Sequence, residues 1–221
     1  MLIAQISDPH IRPKDQLYQN TVDSNAGFEA AIRHLNGLDP RPDIVVLTGD
    51  IVDEGTEDEY AMALELLAGL DISLFVIPGN HDEPRAFKLA FHNHLYLPRQ
   101  GPFNYVIDDR GPVRIIALDV TIPGHHHGDI DDASLAWLKN ALGKETGRPT
   151  IIMMHQPPFA CGVPYLDLYL CRGGDRLAAI AKAFPAIERI VCGHVHRFMQ
   201  LRSLGRPSAR RRARQRRSTC D

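Results

Sequence analysis

Cysteine is sparse: Cys161, Cys171, Cys192 and Cys220 are the only four in a chain of 221 residues. That is too few for a disulfide scaffold, and their spacing matches no zinc ribbon or CxxC pair. They read as reduced thiols, some buried as small hydrophobes. No run of about 18 apolar residues occurs, so no transmembrane helix is expected. Met1 leads straight into Leu2-Ile3-Ala4-Gln5-Ile6 and then Asp8. No basic segment or long apolar leader precedes them, so no signal peptide is expected and the expected location is cytoplasmic. The patterns GxSxG, GxxxxGK[ST] and GxGxxG are also missing, which leaves serine-hydrolase, P-loop and Rossmann readings without support. With 44% hydrophobic and 24% charged residues, the composition excludes collagen-like and wholly disordered chains and fits one globular domain with a sizeable core.

The formal net charge of −2 hides an asymmetry. Residues 202–221 hold eight arginines and one acid, Asp221. Taken from the totals of 25 basic and 27 acidic residues, they leave a body of 17 and 26, net −9. Body and tail are therefore two different things. The expected division is a domain over 1–201 and an Arg-rich tail over 202–221.

Apolar runs over 2–7, 43–48 and 73–77 read as buried strands, separated by helical spacing over 24–38 and 57–70. This β-α-β-α-β beat predicts an α/β sheet with right-handed crossovers. Residues 103–107 and 113–119 read as strands only a turn apart, which suggests an antiparallel hairpin. A helix over 131–142 carries Trp137. A strand over 150–154, a helix over 173–183 and a strand over 187–192 complete the pattern. The expected architecture is an α/β sandwich of two mixed sheets flanked by helices, with both faces of the apolar strands covered.

Five of these strands run into a polar cluster at their C-terminal end. The clusters are Asp8-Pro9-His10, Gly49-Asp50, Gly79-Asn80-His81-Asp82, His155 and Gly193-His194-Val195-His196. Ligands of open α/β sheets bind outside the carboxyl ends of strands. Asp, Asn and His converging on one rim therefore predict a metal site. The donors are carboxylate, amide and imidazole with no thiolate, which suits Mn, Fe, Zn or Co. Seven such ligand residues are too many for one tetrahedral ion and fit two ions sharing a carboxylate. Asp50 is the natural bridge, because its strand ends near the middle of the set.

The wording of these segments is ISDPH, PDIVVLTGDIVDEG, PGNHD, MHQPP and CGHVH, with Leu118-Asp119 followed by DASLAWL. It resembles the calcineurin-like metallophosphoesterase superfamily, and within it the class III cyclic nucleotide phosphodiesterase and glycerophosphodiesterase branch. The resemblance covers residues 1–201. It implies that Asp8, His10, Asp50 and His196 hold one metal ion, and Asp50, Asn80, His155 and His194 the other. It also implies that His81 contacts a phosphate oxygen or the leaving group, with Asp82 orienting or charge-tuning His81. The implied activity is hydrolysis of small phosphodiesters, 3′,5′-cyclic nucleotides or glycerophosphodiesters, by hydroxide activated on two metals. A phosphomonoesterase or nucleotide pyrophosphatase on the same site is the alternative among enzymes.

Several polar residues carry plainer readings. His125-His126-His127 reads as a solvated loop, with a substrate-contacting edge as the alternative. Asp53 reads as a carboxylate at the start of the next helix or beside the metals, not a ligand. Asn20, Asp23 and Asn25 read as helix caps. Trp137 and Phe159 read as packing. The run Arg210–Arg217 has no apolar period, so it cannot continue a sheet. The resemblance leads one to expect further strands after His196, supporting an oligomer or a lid, so the sandwich is read with its last strands missing. The tail is read as a truncated, frame-altered or disordered end. The alternative is a basic arm that binds nucleic acid with strong salt dependence; a non-enzymatic protein using that arm is the reading from outside enzymology.

Overall fold

The computed structural model describes residues 1–200. The regular elements among them are β1 (Ile3–Ile6), α1 (Ser24–Asn36), β2 (Ile44–Thr48), α2 (Glu57–Leu67), β3 (Ser73–Ile77), α3 (Pro84–Ala90), β4 (Tyr105–Ile107), β5 (Arg114–Ala117), α4 (Asp132–Gly143), β6 (Thr150–Met153), α5 (Gly174–Ala183) and β7 (Ile187–Val191). A 3-10 turn at Leu166–Tyr169 precedes α5. Two of these, α3 and the 3-10 turn, are not among the expected elements. The signal for α3 is present in Glu83, which accepts from Ala86 N at the N-cap, followed by Pro84 in the first turn.

Strands β1, β2 and β3 form a parallel sheet in that order. The second sheet runs β4-β5-β6-β7, with β4 antiparallel to β5 and the others parallel. The hairpin expected at 103–119 is therefore present, with Tyr105 opposite Ala117.

Side-chain alternation explains how the sheets stack. Ile44, Val46, Phe75 and Ile77 face the other sheet and pack with Tyr105, Ile107, Ile115, Ala117 and Met153. Their neighbours Leu47 and Val76 point the opposite way, onto Phe28, Ile32, Tyr60, Ala63, Phe87 and Phe91 of α1, α2 and the α3 segment. On the far side, Ile116, Leu118 and Ile152 pack with Leu135, Leu138, Leu142, Leu177 and Ile180 of α4 and α5. The result is a helix–sheet–sheet–helix sandwich, and β2 is buried at all five positions. Each fully buried Ile or Leu in these layers contributes about 1.5–3 kcal/mol relative to exposure.

Coverage of both faces does not extend to β7. Glu188 and Arg189 are exposed there, as charges on what is an edge strand among the described residues, where they discourage further pairing. Phe198–Gln200 have no regular structure, and Phe198 is exposed. The Arg-rich tail lies outside the described residues. Trp137 packs against the α4–α5 core, whereas Phe159 is 43% exposed rather than packed away.

Candidate metal centre

The strand ends carry their polar residues to one place because the two sheets are in register there. Pairing of β1 with β2 continues past the strands: Asp8 N donates to Gly49 O, His10 N to Asp50 O and Ile11 N to Ile51 O, at 3.0–3.1 Å. From the second sheet, Gly193 N donates to His155 O at 3.0 Å. The sheets are then joined across the rim, since both Asp8 carboxylate oxygens accept His194 N, at 2.8 and 3.0 Å.

Among the described residues, eight that are not glycine have positive φ, and five of them are candidate ligands: Asp8, His10, Asp50, His194 and His196, between 44° and 72°. Such backbone costs on the order of 1–3 kcal/mol per residue and persists only where the surroundings enforce it. Gly79 shows how tight these surroundings are. A Cβ there would collide with Asp50 Oδ1, so the β3 turn can approach Asp50 only as glycine.

The ligand atoms of Asp8, His10, Asp50 and His196 all lie within 4.8 Å of one another, as do those of Asp50, His155 and His194. Asp50 belongs to both groups, as its place in the sequence suggests. Its Oδ1 is held by His81 N at 2.9 Å. Its Oδ2 faces His155 Nε2 at 3.2 Å and His10 Nε2 at 3.8 Å. His10 Nε2 and His196 Nε2 are 3.0 Å apart. His196 is the open side of the cluster, its side chain 46% exposed. Asn80 follows Gly79 on the β3 turn, and its amide nitrogen lies 3.4 Å from His126 Nδ1.

Tautomers follow from the outer contacts. His155 Nδ1 sits 2.7 Å from Thr48 O and so donates to it, which leaves Nε2 for the cluster. Nε2 of His194 is buried without a hydrogen-bond partner, and Nε2 of His155 meets only carboxylates, Asp50 Oδ2 at 3.2 Å and Asp8 Oδ1 at 4.0 Å. Imidazole nitrogens converging on carboxylates fit a divalent cation, which takes their lone pairs.

The charges agree with that fit at His10 and His194, whereas at His155 a cation would have to displace the proton that Nε2 shares with Asp50. Burial lowers the His10 pKa to about 3 and the His194 pKa to about 4, against the pull of Asp50, so both rings are neutral donors. Burial opposes charge on His155 as well, but Asp50 and Asp8 outweigh it and raise that ring to about 9. Burial would raise Asp50, yet His155, His81 and His10 hold it well below the usual carboxylate range.

His81 lies beside the cluster, its ring edge-on to His10 at 4.7 Å. The residue that orients it is not the expected one. Asp82 is buried and directed away from the ring: its carboxylate accepts Gly79 N at 2.7 Å, Ile51 N at 3.2 Å, Val52 N at 3.4 Å and Tyr60 Oη at 2.7 Å. Asp82 therefore ties the β2 and β3 turns to α2. Its carboxyl is raised to about 6 by burial and by Asp50. The group at the His81 ring is Asp53, whose carbonyl accepts from Nδ1 at 2.5 Å and whose Oδ1 lies 3.5 Å from the same nitrogen. Asp53 Oδ1 also faces His10 Nδ1 at 3.6 Å.

Further residues stand around the cluster. Tyr18 stacks on His10, with centroids 4.7 Å apart and planes 21° from parallel. Asn25, expected as a cap, instead brackets Arg12, while Asp23 does cap α1. His126 is exposed in its loop, as read, and there it meets Asn80, receives Gln156 Nε2 on its carbonyl at 3.1 Å and packs edge-on to Tyr169 at 5.3 Å. A cavity of about 250 Å³ opens beside Asn80 and His81, bounded by Glu54, Glu83, Thr121 and Pro123.

A family model described as calcineurin-like phosphoesterase matches residues 1–198. A glycerophosphodiester phosphodiesterase of Enterobacter lignolyticus is 40% identical over 200 residues, covering 89% of this chain and 71% of the relative. A probable glycerophosphodiester phosphodiesterase of Arcobacter nitrofigilis is 37% identical over 198 residues, covering 89% and 72%. A 3′,5′-cyclic adenosine monophosphate phosphodiesterase of Escherichia coli is 26% identical over 204 residues, covering 92% and 72%. Among solved structures, a protein of Thermus thermophilus shares the fold, with a TM-score of 0.52 at 17% identity over 83% of this chain and 77% of that one.

Proposed function

The chain belongs to the calcineurin-like phosphoesterase family, and on that premise we propose that it hydrolyses small phosphodiesters, glycerophosphodiesters or 3′,5′-cyclic nucleotides, at a binuclear metal centre. The observation that carries the reading is the pair of ligand groups that share Asp50. Asp8, His10, Asp50 and His196 would hold one ion, and Asp50, Asn80, His155 and His194 the other. When bound, two such ions supply the Lewis acidity that activates water near neutral pH and polarises the phosphate oxygens. Mn, Fe, Zn and Co all suit the donor set.

The protein's own residues do the rest. Thr48 O and the His81 amide orient His155 and Asp50 before any substrate arrives, so no reorganisation is needed during the reaction. His81 gives Nδ1 to Asp53 O, which leaves Nε2 as its nitrogen for a phosphate oxygen or the departing alkoxide. A diester lacks a good leaving group; with Nδ1–H held by Asp53 O, Nε2 donates a proton there only from the imidazolium, and a positioned donor contributes about 10²–10⁴ in rate. Asn80 and His126 stand over the same rim and bound the space for the alcohol portion.

The test is hydrolysis of bis(p-nitrophenyl) phosphate against p-nitrophenyl phosphate after reconstitution with Mn²⁺, with His196→Ala as control. Faster turnover of the diester, abolished by the substitution, is the expected result. Preference for the monoester moves the protein to a phosphatase and overturns the reading.

A further inference from the structure

Arg12 is a cation set among the carboxylates behind His81. Its Nη1 lies 2.9 Å from Asp53 Oδ2, 2.8 Å from Glu59 Oε1 and 3.0 Å from Glu54 Oε1. Its Nη2 donates to Gln16 Oε1 at 3.2 Å. The side chain is only 13% exposed. Its backbone is fixed as firmly as its head: Arg12 N donates to Asn25 Oδ1 at 3.0 Å, and Asn25 Nδ2 donates to Arg12 O at 2.9 Å. Ser24 Oγ donates to His10 O at 2.8 Å. The first turn of α1 therefore clamps the loop that carries both His10 and Arg12.

Glu59 is the other anchor. It is fully buried, and its carboxylate accepts Glu54 N at 3.0 Å and Thr56 N at 3.0 Å. It thus fixes the backbone just after Asp53, and Arg12 is its counter-charge. With Oδ2 of Asp53 taken by Arg12, Oδ1 is left directed at Nδ1 of both His81 and His10. Without the guanidinium, the Asp53 carboxylate can rotate away and leave the His81 ring held by Asp53 O alone, and Glu59 becomes an uncompensated buried charge. A lysine ammonium is a point charge on a flexible stem and cannot reproduce the planar fork that meets these acceptors together.

We propose that Arg12 is a positioning residue for the phosphodiesterase reaction: pinned by Glu59 and Asn25, it holds Asp53 so that His81 presents Nε2 to the leaving group. The inference rests on the phosphodiesterase reading above. It predicts a defect that grows as the leaving group becomes harder to expel, because only then is the proton from His81 needed.

The experiment uses the full chain reconstituted with Mn²⁺ and two esters that differ only in the leaving group, ethyl p-nitrophenyl phosphate and ethyl phenyl phosphate. Arg12→Lys, which keeps the charge, is measured first and Arg12→Met second. The readout is the ratio of kcat on the two esters in the same sample, which does not depend on how much of the protein is folded. Loss of a residue that orients a metal-site histidine typically costs 10–100-fold. We expect a kcat loss of roughly that size on the phenyl ester for Arg12→Met, a smaller loss on the nitrophenyl ester, little change in KM, and an intermediate result for Arg12→Lys. An unchanged ratio in both variants, whatever the absolute rates, overturns the assignment while leaving the phosphodiesterase reading intact. A wild-type chain that hydrolyses neither ester overturns that reading and this inference together.

Discussion

Replacing Tyr60 with Phe removes one oxygen from the support beneath the metal centre. Tyr60 is 2% exposed, and its hydroxyl donates to Asp82 Oδ1 at 2.7 Å. Hydrogen bonds to charged groups contribute about 1.5–3 kcal/mol. The Asp82 carboxylate keeps three backbone donors, Gly79, Ile51 and Val52, so the substitution does not strand it. The ring keeps its edge-on packing with Phe87 and Phe91, at 6.4 and 6.2 Å. The expected loss therefore lies toward the lower end, about 2 kcal/mol. For a domain of this size that is about 4–8 °C in the unfolding midpoint. Thermal unfolding of the metal-free protein, followed by far-ultraviolet circular dichroism, measures it. A shift under about 1 °C would refute the reasoning, because it would mean that the bond holding α2 to the β2 and β3 turns adds nothing net.

Two further outcomes follow from the same structure. Thr56→Ala removes the acceptor for Glu59 N, half of a reciprocal cap at the start of α2; the bond is long, at 3.4 Å, so the unfolding free energy in urea should fall by about 0.5–1 kcal/mol. Stripping the protein with a chelator should abolish diester hydrolysis, and returning Mn²⁺ to about 100 times its dissociation constant should restore about 2.7 kcal/mol of stability per ion bound, read as a rise in the unfolding midpoint.

What could be read in advance was what depends on neighbours along the chain. The apolar runs ending in Gly49-Asp50 and Gly79-Asn80-His81 mark strands, and strand ends in an α/β sandwich share a rim, so the approach of Asp8, His10, Asp50, His155, His194 and His196 to one another is what the pattern leads one to expect. The partners of Asp82 and His81 did not follow. Tyr60 lies in the buried face of α2, but helical periodicity does not say where a hydroxyl points. Arg12 and Glu59 are 47 positions apart and meet only because β1 and β2 pair beyond their ends. The cap between Thr56 and Glu59 formed no part of the reading of the sequence, and a capping pattern would not say that its carboxylate also holds an arginine. β7 is not continuously apolar, because Glu188 and Arg189 stand within its five residues.

The central claim is that Asp50 is shared by two metal ions. Anomalous scattering from crystals grown with Mn²⁺ tests it most directly. The account predicts two peaks about 3.5–4 Å apart, both adjacent to the Asp50 carboxylate, one toward His10 and His196 and the other toward His155 and His194. A single peak, or two peaks of which only one touches Asp50, would contradict it.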